Sequence, residues 1–327
     1  RHEREVVSME EKATVSQANR ADSSAPSTKR RKVKFRKSWI MCWIGVSIPL
    51  IGFLIFNGYP IFVSLEAMFT KMKFSKLDTM QWNNFANFKM LVGDAKLITS
   101  IKVTLILASA QFVSLGIALL IAAFLSQSVK GTRIFQTLYF VPYICSTVAI
   151  SIMWGNIFDL NGVLNAILGT HIQWLNNLEN PSTLTWAIFT TIIWQAPGYG
   201  IVMYCSAFKA ISPSLYEAAD IDGANAWHKF RGITLPGISS ITFFLILAGL
   251  TAGLTTFDAA KVLAPLSWDN FAGPEDAGLT IMYYIYNTGV KNGEMGYASI
   301  LSWMLFVVMM IPSVFLVKKR ILSMEEK

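Results

Sequence analysis

Six intervals of the chain lack Asp, Glu, Lys and Arg, and each is at least twenty residues long: Ser38 to Leu65, Val103 to Phe124 with its flanks, Ile134 to Phe158, Asn180 to Phe208, Gly232 to Phe257, and Met295 to Val317. A helix rises about 1.5 Å per residue, so about 20 residues cross a hydrocarbon layer about 30 Å thick. In lipid the backbone must satisfy its own hydrogen bonds, which makes such runs helices; strands of a barrel would alternate over about ten residues instead. The intervals therefore predict an all-α integral membrane protein with six transmembrane helices. Composition agrees, with 53% hydrophobic and 15% charged residues against about 45 to 50% and about 25% in soluble domains.

An even number of spans puts both termini on one side, and the basic residues choose it. With the termini inside, 20 Lys and Arg fall in cytoplasmic segments and 6 outside, so both termini are predicted cytoplasmic. Eleven of the 28 Lys and Arg precede Ser38. The net charge of +8 thus belongs to a tail and does not indicate nucleic acid. The domains expected are a basic disordered cytoplasmic tail over 1–37, a six-helix membrane domain over 38–317 with a cytoplasmic loop at 209–236, and a short cytoplasmic tail over 318–327. Lys29 to Lys37 precede a run of full spanning length without a small-residue cleavage site, so the first span is expected to stay attached. Met9 reads as a translation start, which leaves Arg1 to Ser8 upstream of it.

Three loops lie outside in this topology. The first, Glu66 to Lys102, carries Trp82, Phe85, Phe88 and Asp94; the second, Asp159 to Pro181, carries Asn161, Gly162, Asn165, Trp174 and Leu175. The third, Pro265 to Glu294, holds the apolar stretch Leu279 to Val290, too short to cross and expected to be interfacial or re-entrant.

Catalytic patterns are missing. There is no G-x-x-x-x-G-K-[ST] loop, the histidines His2, His171 and His228 stand in different segments, and Cys42, Cys145 and Cys205 form no close pair. No metal site and no ATP site are expected in this chain, and it is not expected to be an enzyme. Ion-coupled carriers place charges inside their spans, whereas here Asp258 and Lys261 stand only at a span end, spaced to pair on one helix face. Gln111, Asn156, Gln195 and Thr256 are intramembrane polar residues that suit either a lined path or helix packing by hydrogen bonds.

The 209–236 loop is the most informative segment. Ser212 and Pro213 read as an N-cap and first helical position, Ser214 to Glu217 as an alternative capping box, and Gly223 as a left-handed helix end. Leu215 with Ala218 and Ala219 gives a small-residue face open to close approach by another protein.

The run Glu217-Ala218-Ala219, Asp222-Gly223-Ala224, Phe230, Ile233, Leu235-Pro236 resembles the EAA loop of binding-protein-dependent ABC importer permeases. The likeness covers about residues 38 to 320 and extends to the maltose and glycerol-3-phosphate type of sugar-uptake permease. It includes Asn87-Phe88, Asp94 to Thr104, Pro142, Gly162, Asn165, Phe257-Asp258, Gly273-Pro274, Thr280, Tyr284-Ile285-Tyr286 and Gly296-Tyr297-Ala298. Two positions depart from the pattern, Val103-Thr104 for Asn-Thr and Ala272-Gly273-Pro274 for Gly-Gly-Pro.

The resemblance implies the type I ABC importer permease fold in a bacterial cytoplasmic membrane, inner or plasma. It implies a second, nonidentical permease subunit, two cytoplasmic ATPase subunits that hold ATP and Mg, and an extracellular or periplasmic sugar-binding protein. The implied function is binding-protein-dependent uptake of a sugar or oligosaccharide by alternating access. ATPase coupling would fall to Leu215, Tyr216, Glu217, Ala218, Ala219, Asp222, Gly223 and Ala224, and the substrate path to Gln195, Tyr199, Gly253, Thr256 and Phe257. Two alternatives remain open at this point: an importer of the same architecture for another solute, and an ATP-independent carrier.

Overall fold

The computed structural model describes residues 35–74, 80–126, 131–265 and 271–325. Most of the expected 1–37 tail lies outside these. Among the described residues the regular secondary structure is helical; Thr70 and Trp82 form an isolated antiparallel bridge. In chain order the helices are α1 (Phe35–Phe53), α2 (Tyr59–Ala67), α3 (Ala86–Val92), α4 (Ala95–Leu125), α5 (Thr132–Ile144), α6 (Thr147–Ile157), α7 (Val163–Leu168), α8 (Ser182–Gln195) and α9 (Pro197–Ala210). They continue with α10 (Pro213–Ile221), α11 (Ala226–Lys229), α12 (Leu235–Gly237), α13 (Ser239–Leu254), α14 (Asp258–Leu263), α15 (Ile281–Tyr286) and α16 (Met295–Glu325).

The chain divides into two compact units, Arg1–Pro60 and Ile61–Lys327. In the described part of the first, α1 passes into a π-turn over Leu54–Gly58, closed by the bond from the Tyr59 amide to the Leu54 carbonyl. Pro60 follows at once and offers no amide to the ladder, so the helix widens just before it. The same device recurs in the second unit, where the π-turn Phe230–Thr234 precedes Pro236.

In the second unit α4 packs against α8, α9 and α13. Its buried positions include Ser100, Thr104, Ala108, Ser114, Ala118 and Ala122, a stripe of small side chains that lets neighbouring backbones come close. The hydroxyls of Ser100, Thr104 and Ser114 donate back to carbonyls of their own helix, so none is left unsatisfied in the core. Large apolar side chains such as Leu120, Phe124, Ile311 and Phe315 face outward, as lipid-facing positions do.

Among the described residues four helical stretches are long and apolar enough to cross a membrane: Met41–Ala67, Ala95–Leu125, Ser239–Leu263 and Met295–Leu322. A fifth is reached if α5 and α6 count as one span, but the two are bent by 95°. The interval Ile134 to Phe158 is therefore no straight helix. Pro142 lies in the last turn of α5, and Cys145 turns extended behind it at φ −70°, ψ 151°. The interval Asn180 to Phe208 becomes two helices of 14 residues, α8 and α9, because Pro197 ends the regular ladder. The last helix runs on past Val317 to Glu325.

The Leu279 to Val290 stretch forms α15 and a π-turn over Asn287–Lys291. Ile281, Tyr283, Tyr284, Asn287, Thr288 and Gly289 are buried there, so the segment is packed into the protein and does not lie along an interface.

Candidate functional site

The 209–236 loop is a helix, a turn and a second helix. Pro213 occupies the first turn of α10 as expected, but no side chain caps the helix: the Ser212 hydroxyl is bonded to that of Ser214 at 2.8 Å. The expected cap is thus absent, since two neighbouring hydroxyls satisfy each other. The far end behaves as the sequence indicates. Gly223 adopts φ +72°, its amide bonds to the Asp220 carbonyl, and the Ala224 amide reaches the Ala219 carbonyl, which together make a Schellman closure.

Tertiary bonds fix this knob. The Tyr216 and Thr234 hydroxyls are hydrogen-bonded at 2.8 Å, the Lys229 ammonium pairs with Asp220, and Asn225 Oδ1 accepts from the His228 amide. Leu215, Glu217, Ala218, Asp222 and Gly223 remain exposed, while Tyr216, Ala219 and Ala224 are half-buried. Ile221 is 87% exposed and Trp227 64%, so two large apolar side chains project from the same turn region.

A cavity of about 520 Å³ lies between α4, α5, α6, α8, α9 and α13 and reaches the start of α14. Gln195, Tyr199, Thr256 and Phe257 all line it, as do Gln111, Ser114, Tyr143, Thr147, Thr255 and Asp258. Gly253 does not. A Cβ built there would lie 2.8 Å from the Ala108 Cα, so this glycine serves the close crossing of α13 and α4. Asn156 is also elsewhere, its amide bonded to the Ile152 carbonyl.

Tyr143 is the aromatic cavity residue that sequence reasoning missed, and Ser114, Thr147 and Thr255 were not anticipated either. The Tyr143 ring stacks on that of Tyr199 with centroids 5.3 Å apart and planes 20° apart. Beside it, Gln195 Nε2 donates to the Thr147 hydroxyl at 3.3 Å and lies 3.5 Å from the Cys145 carbonyl, holding the bend between α5 and α6. The Pro197-Gly198 break has a packing cause as well. A Cβ on Gly198 would come within 2.3 Å of the Tyr139 carbonyl oxygen.

Asp258 and Lys261 do not pair. Lys261 instead sits over the rings of Tyr286 and Phe257, at 4.2 and 5.2 Å from their centroids.

Three polar residues tie down the loops before α4, after α6 and before α15. Asp94 caps α4, its Oδ1 accepting from the Lys96 and Leu97 amides, while Oδ2 accepts from the Tyr284 hydroxyl at 2.6 Å and the Tyr297 hydroxyl at 2.5 Å. Burial opposes its charge, but the hydrogen bonds from Tyr284, Tyr297, Leu97 and Lys96 outweigh that and hold the carboxyl below its usual pKa. Burial first, and then the Asp94 hydrogen bond and charge, push the Tyr284 phenol up.

Asn165 organises the second loop. Its amide donates to the carbonyls of Asp159, Leu160 and Ile172, and its oxygen accepts from the Thr170 hydroxyl, the Ile172 amide and the Trp174 indole. In the third loop Asp276 accepts from the Phe271 and Ala272 amides, and Lys96 lies 3.9 Å from its other oxygen.

The second unit thus combines apolar helices of spanning length, a polar and aromatic cavity and an exposed, internally braced loop knob. The chain belongs to the family described as binding-protein-dependent transport system inner membrane component, which it matches over residues 113–317. It is therefore a multi-pass membrane subunit of a transport system. It is 33% identical over 298 residues to the probable ABC transporter permease protein YesP of Bacillus subtilis (strain 168), covering 88% of this chain and 93% of that one. It is 26% identical over 278 residues to the multiple sugar-binding transport system permease protein MsmF of Streptococcus mutans, covering 84% and 93%. A crystal structure of a bacterial ABC transporter involved in the import of the acidic polysaccharide alginate shares the fold, with a TM-score of 0.74 at 22% identity over 89% of this chain and 98% of that one.

Proposed function

We propose that this chain is one of two nonidentical permease subunits of an ATP-driven importer for a sugar or oligosaccharide. In this reading it crosses the membrane six times with both termini cytoplasmic; α8 and α9 together supply one crossing, since Ala196 keeps helical dihedrals between them. A binding protein outside delivers substrate, and two ATPase subunits below hold ATP and Mg. Glu217 to Ala224 dock on an ATPase, whose closure and opening alternate the access of the cavity.

The observation that carries the sugar reading is the lining of the cavity. Sugars present hydroxyls around a ring with apolar C–H faces. Gln111, Gln195, Thr256 and the Tyr199 hydroxyl offer hydrogen bonds, and Tyr143, Tyr199 and Phe257 offer aromatic faces. The sugar permease named among the relatives points the same way.

The test is uptake by the assembled importer in vesicles, with a glycan panel to find the cognate sugar. Tyr199→Ala combined with Gln195→Ala should lower uptake at least about tenfold, equivalent to one hydrogen bond to ligand at about 1 to 3 kcal/mol. Unaltered kinetics would assign the ligand to the partner subunit, and no uptake of any glycan by the unmodified importer would refute the sugar reading.

A further inference from the structure

The cavity carries a charge of one sign. Among its lining residues there is no Lys, Arg or His, and Asp258 is the one carboxylate. Asp258 is exposed and has no ion pair among the described residues. The lysine nearest to it in sequence, Lys261, lies one turn further along α14. It is held over the Tyr286 and Phe257 rings and is absent from the lining. Lys96, at the start of α4, is likewise engaged, 3.7 Å from the centroid of the Phe271 ring and near Asp276.

The remaining polar groups are neutral. The Tyr143 and Tyr199 hydroxyls make no hydrogen bond to another described residue, although both rings face the cavity. Gln195 donates through Nε2 and leaves its amide oxygen available. Free donors and acceptors beside stacked rings can meet ligand hydroxyls without a counter-charge.

We propose that this cavity selects an uncharged sugar and disfavours uronates and sugar phosphates, with Asp258 as the residue that sets the discrimination. The proposal rests on the sugar-importer reading and gives it a substrate class. Two negative charges about 10 Å apart at an effective dielectric of about 20 repel enough to shift an equilibrium roughly tenfold, and closer approach takes this toward a hundredfold. An anion entering the cavity therefore meets a penalty that no cationic lining residue offsets.

The cavity potential is measurable without the binding protein, whose own selectivity would otherwise mask it. In the assembled importer, with Cys42, Cys145 and Cys205 replaced, a Thr255→Cys thiol is modified with an anionic sulfonate-bearing and a cationic ammonium-bearing methanethiosulfonate reagent. The expected cation-to-anion rate ratio is at least about tenfold above that of a free thiol in solution. Asp258→Asn should lower the ratio at least about threefold, and Asp258→Glu should keep it. A ratio equal to that of the free thiol, or one unmoved by Asp258→Asn, would overturn the proposal. Vesicle uptake of neutral and uronate oligosaccharides is run in parallel: uronate uptake equal to neutral uptake also overturns it. Failure to transport any sugar, with the reagent ratio intact, refutes the sugar reading and leaves the charge of the cavity established.

Discussion

The Tyr297 hydroxyl donates to Asp94 Oδ2 at 2.5 Å, joining residues 203 positions apart. Because Oδ1 of the same carboxylate caps α4, one side chain both ends a membrane helix and fastens it to the start of α16. Tyr284 joins from α15, so three separate segments meet on one carboxylate.

Acid should loosen this clasp. The pKa of Asp94 is held below its unfolded value of about 3.9. Its contribution to stability is therefore complete above about pH 4 and is lost as pH falls through the lower folded pKa. Asp94→Ala should destabilise the protein by about 2 to 4 kcal/mol, from the lost cap and the stranded tyrosine hydroxyls. Asp94→Asn should cost less. Thermal unfolding in detergent between pH 3 and 7 checks both: the gap between the native protein and Asp94→Ala should shrink in acid.

Gly223→Val should uncouple transport from ATP hydrolysis. No atom lies within 4 Å of a Cβ at this position, so the cost is that of the φ of +72° alone, on the order of 1 kcal/mol or more. That suffices to displace an exposed turn without unfolding the membrane helices. Uptake and ATPase copurification should fall while membrane insertion persists; full uptake would contradict a coupling role.

Gly198→Ala should act differently. The added methyl would overlap the Tyr139 carbonyl oxygen, which is backbone and cannot swing away. A loss of about 1 to 3 kcal/mol is expected from overpacking, with α5 and α9 forced apart. Lower thermal stability of the purified chain is the measurement, and an unchanged transition would dispute the crossing.

Thiol labelling addresses the orientation. With the three native cysteines replaced, an impermeant reagent added to intact cells should modify Asn177→Cys in the second outer loop and spare Asn225→Cys beside the Schellman turn. Labelling of Asn225→Cys from outside would invert the topology.

Charge counting along the chain located four long membrane helices, because a charge-free run of spanning length has few other uses. It was blind to the bend after Pro142, since the groups freed there are satisfied by Gln195 from another helix, and nothing in the local sequence announces that partner. The loop turn was legible because its signals are local: Pro213 starts α10, and Gly223 ends it. Ser212 misled, as a serine before a proline signals a cap whether or not the next hydroxyl competes for it. Four of the five expected path residues line the cavity. Gly253 does not, because a small residue facing a void and one pressed against Ala108 look alike in sequence. Tyr143 was missed for the opposite reason, since only the tertiary fold brings it beside Tyr199.

The glycines at 198, 200 and 253 each bring a backbone or methyl group within about 3 Å of a would-be Cβ, and none of those three contacts is with a side chain that also faces the cavity through a polar group. On the proposed reading, the polar and aromatic side chains offered to the ligand are thus distinct from the glycines that set helix spacing. A library that varies Gln111, Tyr143, Thr255 and Asp258 while leaving those glycines untouched should return folded proteins with new transport preferences. If the cavity holds the substrate as proposed, the fold leaves its selectivity open to revision without asking the scaffold to change.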